Sequence, residues 1–168
     1  MRTHSLSSSD RDLGQDDDGL AASARGDPDV AIDAIRIPNV LIIEDNPGDV
    51  ELTMLAFQTR GLIVDFHVAI DGANALQYLQ TLAASPDPRP DLILLDLNLP
   101  KITGAAILTY IRGEPELAGI PTVILTSSRA ARDYEQCARL GVDAYLIKPM
   151  TLQEMLEMME QIAPILER

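Results

Sequence analysis

Four short apolar runs punctuate the chain, and each closes on a polar residue with reactive chemistry. Val40-Leu41-Ile42-Ile43 closes on Glu44-Asp45, and Leu92-Ile93-Leu94-Leu95 closes on Asp96. Thr122-Val123-Ile124-Leu125 closes on Thr126, and Ala144-Tyr145-Leu146-Ile147 closes on Lys148-Pro149. Runs of this length, rich in β-branched and aliphatic residues, read as strands buried on both faces. Stretches with helical spacing separate them. Strands alternating with helices predict a parallel sheet, and a parallel sheet brings the carboxyl ends of its strands to one edge, where ligands bind. The pattern therefore predicts that residues scattered from 44 to 148 meet at a single rim.

The intervening segments complete the pattern. The first strand is read at 39–44. A helix follows it, with Asn46 as N-cap and Pro47 at its first position, where a missing N–H costs nothing. Val50, Met54 and Phe57 are spaced to form its core stripe, and Gly61 ends it. A second strand is read at 63–69. Asp71 caps a second helix carrying Ala75, Leu76, Leu79 and Leu82, and the Pro-rich segment 85–90 is a loop. The third strand, 91–96, leads through a loop to a helix over 104–112. A fourth strand at 121–126, a helix over 130–140 stopped by Gly141, and a strand at 143–147 follow. The last helix runs from Thr151, an N-cap with Glu154 at N3, to Leu166. These β/α units predict an α/β fold: a five-stranded parallel sheet, doubly wound.

Residues 1–37 break this pattern. Ser5, Ser7, Ser8 and Ser9, the run Asp16-Asp17-Asp18 and an Asp-Pro give low hydrophobicity and high charge. Such a segment cannot bury enough surface to offset its ordering entropy, and we read it as a disordered acidic and Ser-rich extension with a helical turn near Val30–Ile35. The folded domain is 38–168.

Composition narrows the function. The 168 residues carry a formal net charge of -13, which argues against nucleic-acid or anionic-membrane binding. One cysteine, Cys137, rules out an intramolecular disulfide, and no run reaches the roughly 18 apolar residues of a membrane helix. These features predict a soluble, cytoplasmic protein. Lysine occurs only at Lys101 and Lys148, so one placed at a strand end is read as chosen for its chemistry.

That chemistry is phosphoryl transfer. Asp96 can attack a phosphoryl group through a carboxylate oxygen and form an acyl phosphate. Glu44, Asp45 and Asp96 crowded together repel one another, and a divalent cation relieves this. Mg²⁺ suits oxygen ligands and shared waters, so Asp45 and Asp96 are assigned as direct ligands, Glu44 through water and the Asn98 carbonyl as a further ligand. Lys148 offers a point charge and Thr126 a hydroxyl to the transferred group. Tyr145, three residues before Lys148, points to the opposite face of its strand, and packing beneath a helix accounts for it equally well. His67, His4 and Cys137 are read as unrelated to the site.

The set Glu44-Asp45, Asp96, Thr126 and Lys148-Pro149 resembles the receiver domain of two-component response regulators over about residues 39–166. The resemblance implies a flavodoxin-like, CheY-like fold of strand order 2-1-3-4-5. It also implies Mg²⁺-dependent phosphorylation of Asp96 by a sensor histidine kinase, with Thr126 and Lys148 contacting the phosphoryl group. In the implied switch Thr126 moves toward the phosphate and Tyr145 turns inward, which changes the binding of a downstream protein. With no output domain after the last helix, a stand-alone receiver is expected. Ile43 to Pro47, Asp96 to Pro100 and Leu125 to Arg129 are similar to the regulators paired with phytochrome kinases. That likeness implies a homodimer through the fourth helix, fifth strand and fifth helix, with Met150, Met155, Met158 and Met159 as candidate contacts or core residues. The alternative is an aspartyl-nucleophile phosphatase of the haloacid-dehalogenase type. That motif wants a second Asp two residues after the nucleophile as general acid, and Asn98 occupies the position. Its acidic pair also comes late in the chain, whereas Glu44-Asp45 comes first.

Overall fold

The computed structural model describes residues 36–168. The expected disordered extension and its helical turn fall almost wholly outside them, as does His4. The strands are β1 (Asn39–Ile43), β2 (Asp65–Ala69), β3 (Leu92–Leu95), β4 (Thr122–Thr126) and β5 (Ala144–Ile147). The helices are α1 (Pro47–Thr59), α2 (Gly72–Ala84), α3 (Gly104–Gly113), α4 (Ala131–Leu140) and α5 (Leu152–Leu166). All pairings are parallel, in the order β2-β1-β3-β4-β5. The predicted fold class is therefore observed.

Strand periodicity divides the core in two. Leu41, Ile43, Ile93, Leu95 and Ile124 lie in one apolar cluster with Leu79 of α2, Ile107 and Leu108 of α3, and Cys137 of α4. Val40, Ile42, Leu92, Leu94, Val123, Leu125 and Leu146 lie in the other with Phe57 of α1 and Met155, Met159 and Ile162 of α5. Each central strand is buried on both faces, which explains why its sequence shows no alternation.

The predicted caps form. The Asn46 side chain accepts from the Gly48 and Asp49 amides, that of Asp71 accepts from Asn74, and Thr151 and Glu154 make a reciprocal capping box. Two expectations need correction. In α1 the fully buried residues are Thr53, Ala56 and Phe57, with Val50 and Met54 only partly covered. Thr53 is tolerated there because its hydroxyl donates to the Asp49 carbonyl. In β2 the ladder starts at Asp65, two residues later than read, and Ile63 is 77% exposed. As an edge strand, β2 has a partner on one side only, so apolar content overstated its length.

Two helix starts need glycine for lack of room. A Cβ on Gly104 would sit 2.0 Å from the Asp96 carbonyl oxygen, and one on Gly72 would sit 2.3 Å from that of Ile102. The first turns of α3 and α2 thus pack directly on the segment that follows β3. Gly113, at the end of α3, has open space where its Cβ would be. Gly104→Ala should cost about 1–3 kcal/mol in urea unfolding, whereas Gly113→Ala should be neutral or stabilising by up to about 1 kcal/mol. The reverse ranking would contradict the close approach at Asp96.

Candidate functional site

Backbone hydrogen bonds hold the strand ends level. The Glu44 amide donates to the Ala69 carbonyl, Asp96 to Ile43, and Lys148 to Thr126, at 2.9–3.0 Å. Side chains one residue past β1, β3 and β5 are thereby brought to one rim. Glu44 and Asp96 are buried, at 6% and 4% exposure, and Asp45 is exposed. Carboxylate oxygens of the three lie within 4.8 Å of one another.

Lys148 lies among these acids. Its Nζ is 2.6 Å from Glu44 Oε2, 2.8 Å from Asp96 Oδ2 and 2.9 Å from Asp49 Oδ2. Burial alone would lower the lysine pKa, but hydrogen bonds to Asp96, Glu44 and Asp49 outweigh it and hold the pKa well above the ordinary 10.5. The Glu44 pKa is raised as well. Burial raises its pKa, opposed by its hydrogen bonds from Lys148 and the Asn46 amide, and the charge of Asp96 adds to the rise. The ammonium thus offsets the repulsion among the carboxylates.

The hydroxyl half of the site belongs to the other side of the sheet. Thr126 is fully buried, and its Oγ1 accepts from the Ser128 amide at 3.2 Å and from Asn98 Nδ2 at 3.4 Å. Asn98 also donates from Nδ2 to Ser127 Oγ, and its backbone amide donates to Asp96 Oδ1. Asn98 therefore links the Asp96 loop to the Thr126 loop. The Tyr145 hydroxyl donates to the Ser128 carbonyl at 3.1 Å, and its ring meets Tyr134 of α4 edge-on. The Ser128 hydroxyl donates to Asp133 and accepts from the Ala130 amide, which anchors the start of α4 where Ala130 has no capping side chain.

The structure thus gathers Glu44, Asp45, Asp96 and Lys148 into one cluster and joins Thr126 to it through Asn98. Tyr145 sits one step further out, against α4. His67 stacks on Tyr78 at 3.9 Å between ring centroids, and Cys137 is buried in the core, both apart from this set. Sequence reasoning missed Asp49 and Gly104. Asp49 has the form of an ordinary first-turn helix acid, and nothing in its sequence position marked its contact with Lys148. Nothing in the sequence around Gly104 marks its contact with the Asp96 backbone.

Buried and exposed carboxylates this close, one of them with a raised pKa, are a donor set suited to a hard divalent cation. With the ammonium and hydroxyl beside them, the arrangement can receive an anionic group at Asp96. Such an assembly lies at the carboxyl rim of a doubly wound sheet, the edge where folds of this class bind their ligands. Comparison with known proteins agrees, and the chain belongs to the response regulator receiver domain family, whose model matches residues 40–160.

Two curated relatives extend this. The chain is 36% identical over 124 residues to the response regulator Rcp1 of Synechocystis, covering 73% of this chain and 84% of that protein. It is 34% identical over 123 residues to the probable methanogenesis regulatory protein FilR2 of Methanothrix harundinacea, covering 73% and 79%. Among solved structures, the phosphorylated cyanobacterial phytochrome response regulator RcpA superposes with a TM-score of 0.68 at 32% identity, covering 76% of this chain and 91% of that one. The Mn²⁺-bound form of Rcp1 gives 0.66 at 35% identity, covering 74% and 91%. The haloacid-dehalogenase alternative is not favoured.

The raised lysine pKa fixes a pH dependence. Its ion pairs contribute fully below the unfolded value of 10.5 and are lost only as pH rises through the higher folded value. Without metal, wild type should exceed Lys148→Met in stability by a margin that stays level from about pH 8 to about pH 10 and narrows only above. Denaturant melts of both proteins across that range check it, and a margin that shrinks below about pH 10 would contradict the ion-pair geometry.

Proposed function

We propose that this response regulator receives a phosphoryl group on Asp96 from the phosphohistidine of a sensor histidine kinase. The observation that carries the reading is the Asp96 carboxylate itself: buried, 2.8 Å from an ammonium, and grouped with two further acids. A carboxylate oxygen attacks phosphorus, the phosphorus–nitrogen bond breaks, and its electron pair leaves on the imidazole. Lys148 then pairs with a phosphoryl oxygen. The Thr126 hydroxyl donates to another, exchanging its contact with Asn98. Tyr145 turns inward behind it, and the surface of α4, β5 and α5 changes its affinity for a downstream protein.

Glu44, Asp45 and Asp96, with the Asn98 carbonyl, would hold Mg²⁺, which supplies charge neutralisation for attack by one anion on another. Support comes from the carboxylate cluster and from the Mn²⁺-bound form of the related Rcp1. Likeness to Rcp1, RcpA and the bacteriophytochrome response regulator AtBRR, the last at 36% identity and a TM-score of 0.62, supports a phytochrome-type kinase as the phosphodonor. The protein acts in the cytoplasm as a regulator, with chemistry limited to gaining and losing its own phosphate. Homodimerisation through α4, β5 and α5 belongs to the same reading. There Tyr134 and Met150 offer exposed contact surface, whereas Met155 and Met159 lie in the core and are withdrawn as contacts.

A small phosphodonor with Mg²⁺ should add one acid-labile phosphate to the wild type and none to Asp96→Asn, read by intact-protein mass before and after acid treatment. Labelling that survives the substitution would place the acceptor elsewhere. Millimolar Mg²⁺ should raise the melting temperature of the wild type, since it binds only the folded site. An unchanged melting temperature would count against the metal assignment.

A further inference from the structure

Asp49 has no assigned role in the chemistry above, yet it holds the ammonium that the chemistry uses. It lies in the first turn of α1, and its Oδ2 is 2.9 Å from Lys148 Nζ. An ammonium has three protons to donate. Here three carboxylates surround it: Asp96 and Asp49 accept its hydrogen bonds, and Glu44 is paired with it at 2.6 Å. The first two belong to the acid cluster that suits a divalent cation, and Asp49 stands outside it. A cation at that cluster draws on Glu44 and Asp96. Esterification of Asp96 then removes the carboxylate charge that Lys148 faces. Of the partners in place beforehand, only Asp49 is left unaltered by either event.

We infer that Asp49 is a positioning residue that tethers Lys148 at the mouth of the site, so that the ammonium faces the phosphoryl group when its other partners are taken. The inference rests on the proposed phosphorylation of Asp96. It carries a definite sign. If Asp49 acted only as one more negative charge, removing it would speed the approach of an anionic phosphodonor. If it holds Lys148 in place, removing it slows the reaction, because the ammonium must be ordered anew in each encounter. The Asp49 side chain is 38% exposed, so a modest effect is expected.

The lysine content makes a direct test available. With only Lys101 and Lys148 in the chain, ¹⁵N-lysine labelling gives two ammonium groups, and exposed Lys101 is an internal reference. In the metal-free wild type the Lys148 ammonium protons should exchange slowly with water, and in Asp49→Asn their signal should broaden or vanish while Lys101 is unchanged. At saturating Mg²⁺, with saturation verified for each protein by titration, Asp49→Asn should take phosphate from a small phosphodonor about fivefold more slowly than wild type. Asp49→Glu should recover most of the rate, and Asp49→Asn should have no further effect in a Lys148→Met background. A rate equal to or above that of wild type, a loss that persists without Lys148, or an unchanged Lys148 signal would each overturn the tether. If wild type itself gains no phosphate on Asp96, the reading of the site fails, and the ammonium spectra still decide whether Asp49 holds Lys148. If wild type is labelled and Asp49→Asn matches it, the tether alone fails.

Discussion

One ammonium set among carboxylates is the constraint around which the site is organised. Glu44 and Asp96 are carried into a buried rim by strands that the core requires, and their charges cannot disperse into water there. Lys148 supplies the opposite charge at 2.6–2.9 Å from three acids. A buried ion pair of this kind is weak evidence of stability, since desolvation offsets much of the attraction. Its value lies in readiness. The acids sit close enough to share a cation, and the ammonium is already beside a buried carboxylate oxygen of Asp96.

Strand periodicity explains how this charge cluster is connected to a distant surface. Ile42, Leu94 and Leu146 share a core with α1 and α5, and Glu44, Asp96 and Lys148 follow them at even spacing. Ile124 packs into the opposite core with α2, α3 and α4, where Tyr145 joins it, and Thr126 follows at the same spacing. The sheet therefore separates an acid-and-ammonium half from a hydroxyl-and-aromatic half. Asn98 bridges them over the rim through bonds to both Thr126 and Ser127. From there Ser128 leads to Tyr145 on one side and Asp133 of α4 on the other. A change of partner at the Thr126 hydroxyl is thus placed to be felt at α4 by a short hydrogen-bonded route.

Much of this was legible in the sequence because its physics is local or periodic. Apolar runs marked the buried strands, Asn46, Asp71 and Thr151 marked helix starts, and a polar residue at each strand terminus marked the rim. The misreadings share one cause, which is that burial depends on neighbours. Ile63 has the composition of a strand but lies outside the ladder on an edge, where nothing covers it. Thr53 is buried beside the expected stripe of Val50, Met54 and Phe57 because a carbonyl one turn back satisfies its hydroxyl. Met155 and Met159 are core because they share the face of α5 that meets the sheet, while Met150 is exposed in the turn before the Thr151 cap.

The sequence by itself determined the alternation of strands and helices, the family of its motifs and which polar side chains close the strands at the rim, since these follow from residue type, spacing and order. Only the tertiary structure decided that Asp49 joins Lys148 across a separation of 99 residues, and that Gly104 must lack a Cβ because α3 begins against the Asp96 carbonyl. Contacts of this kind arise where separate elements close on one another. No residue's own chemistry records which neighbour the folded chain will bring within 3 Å of it.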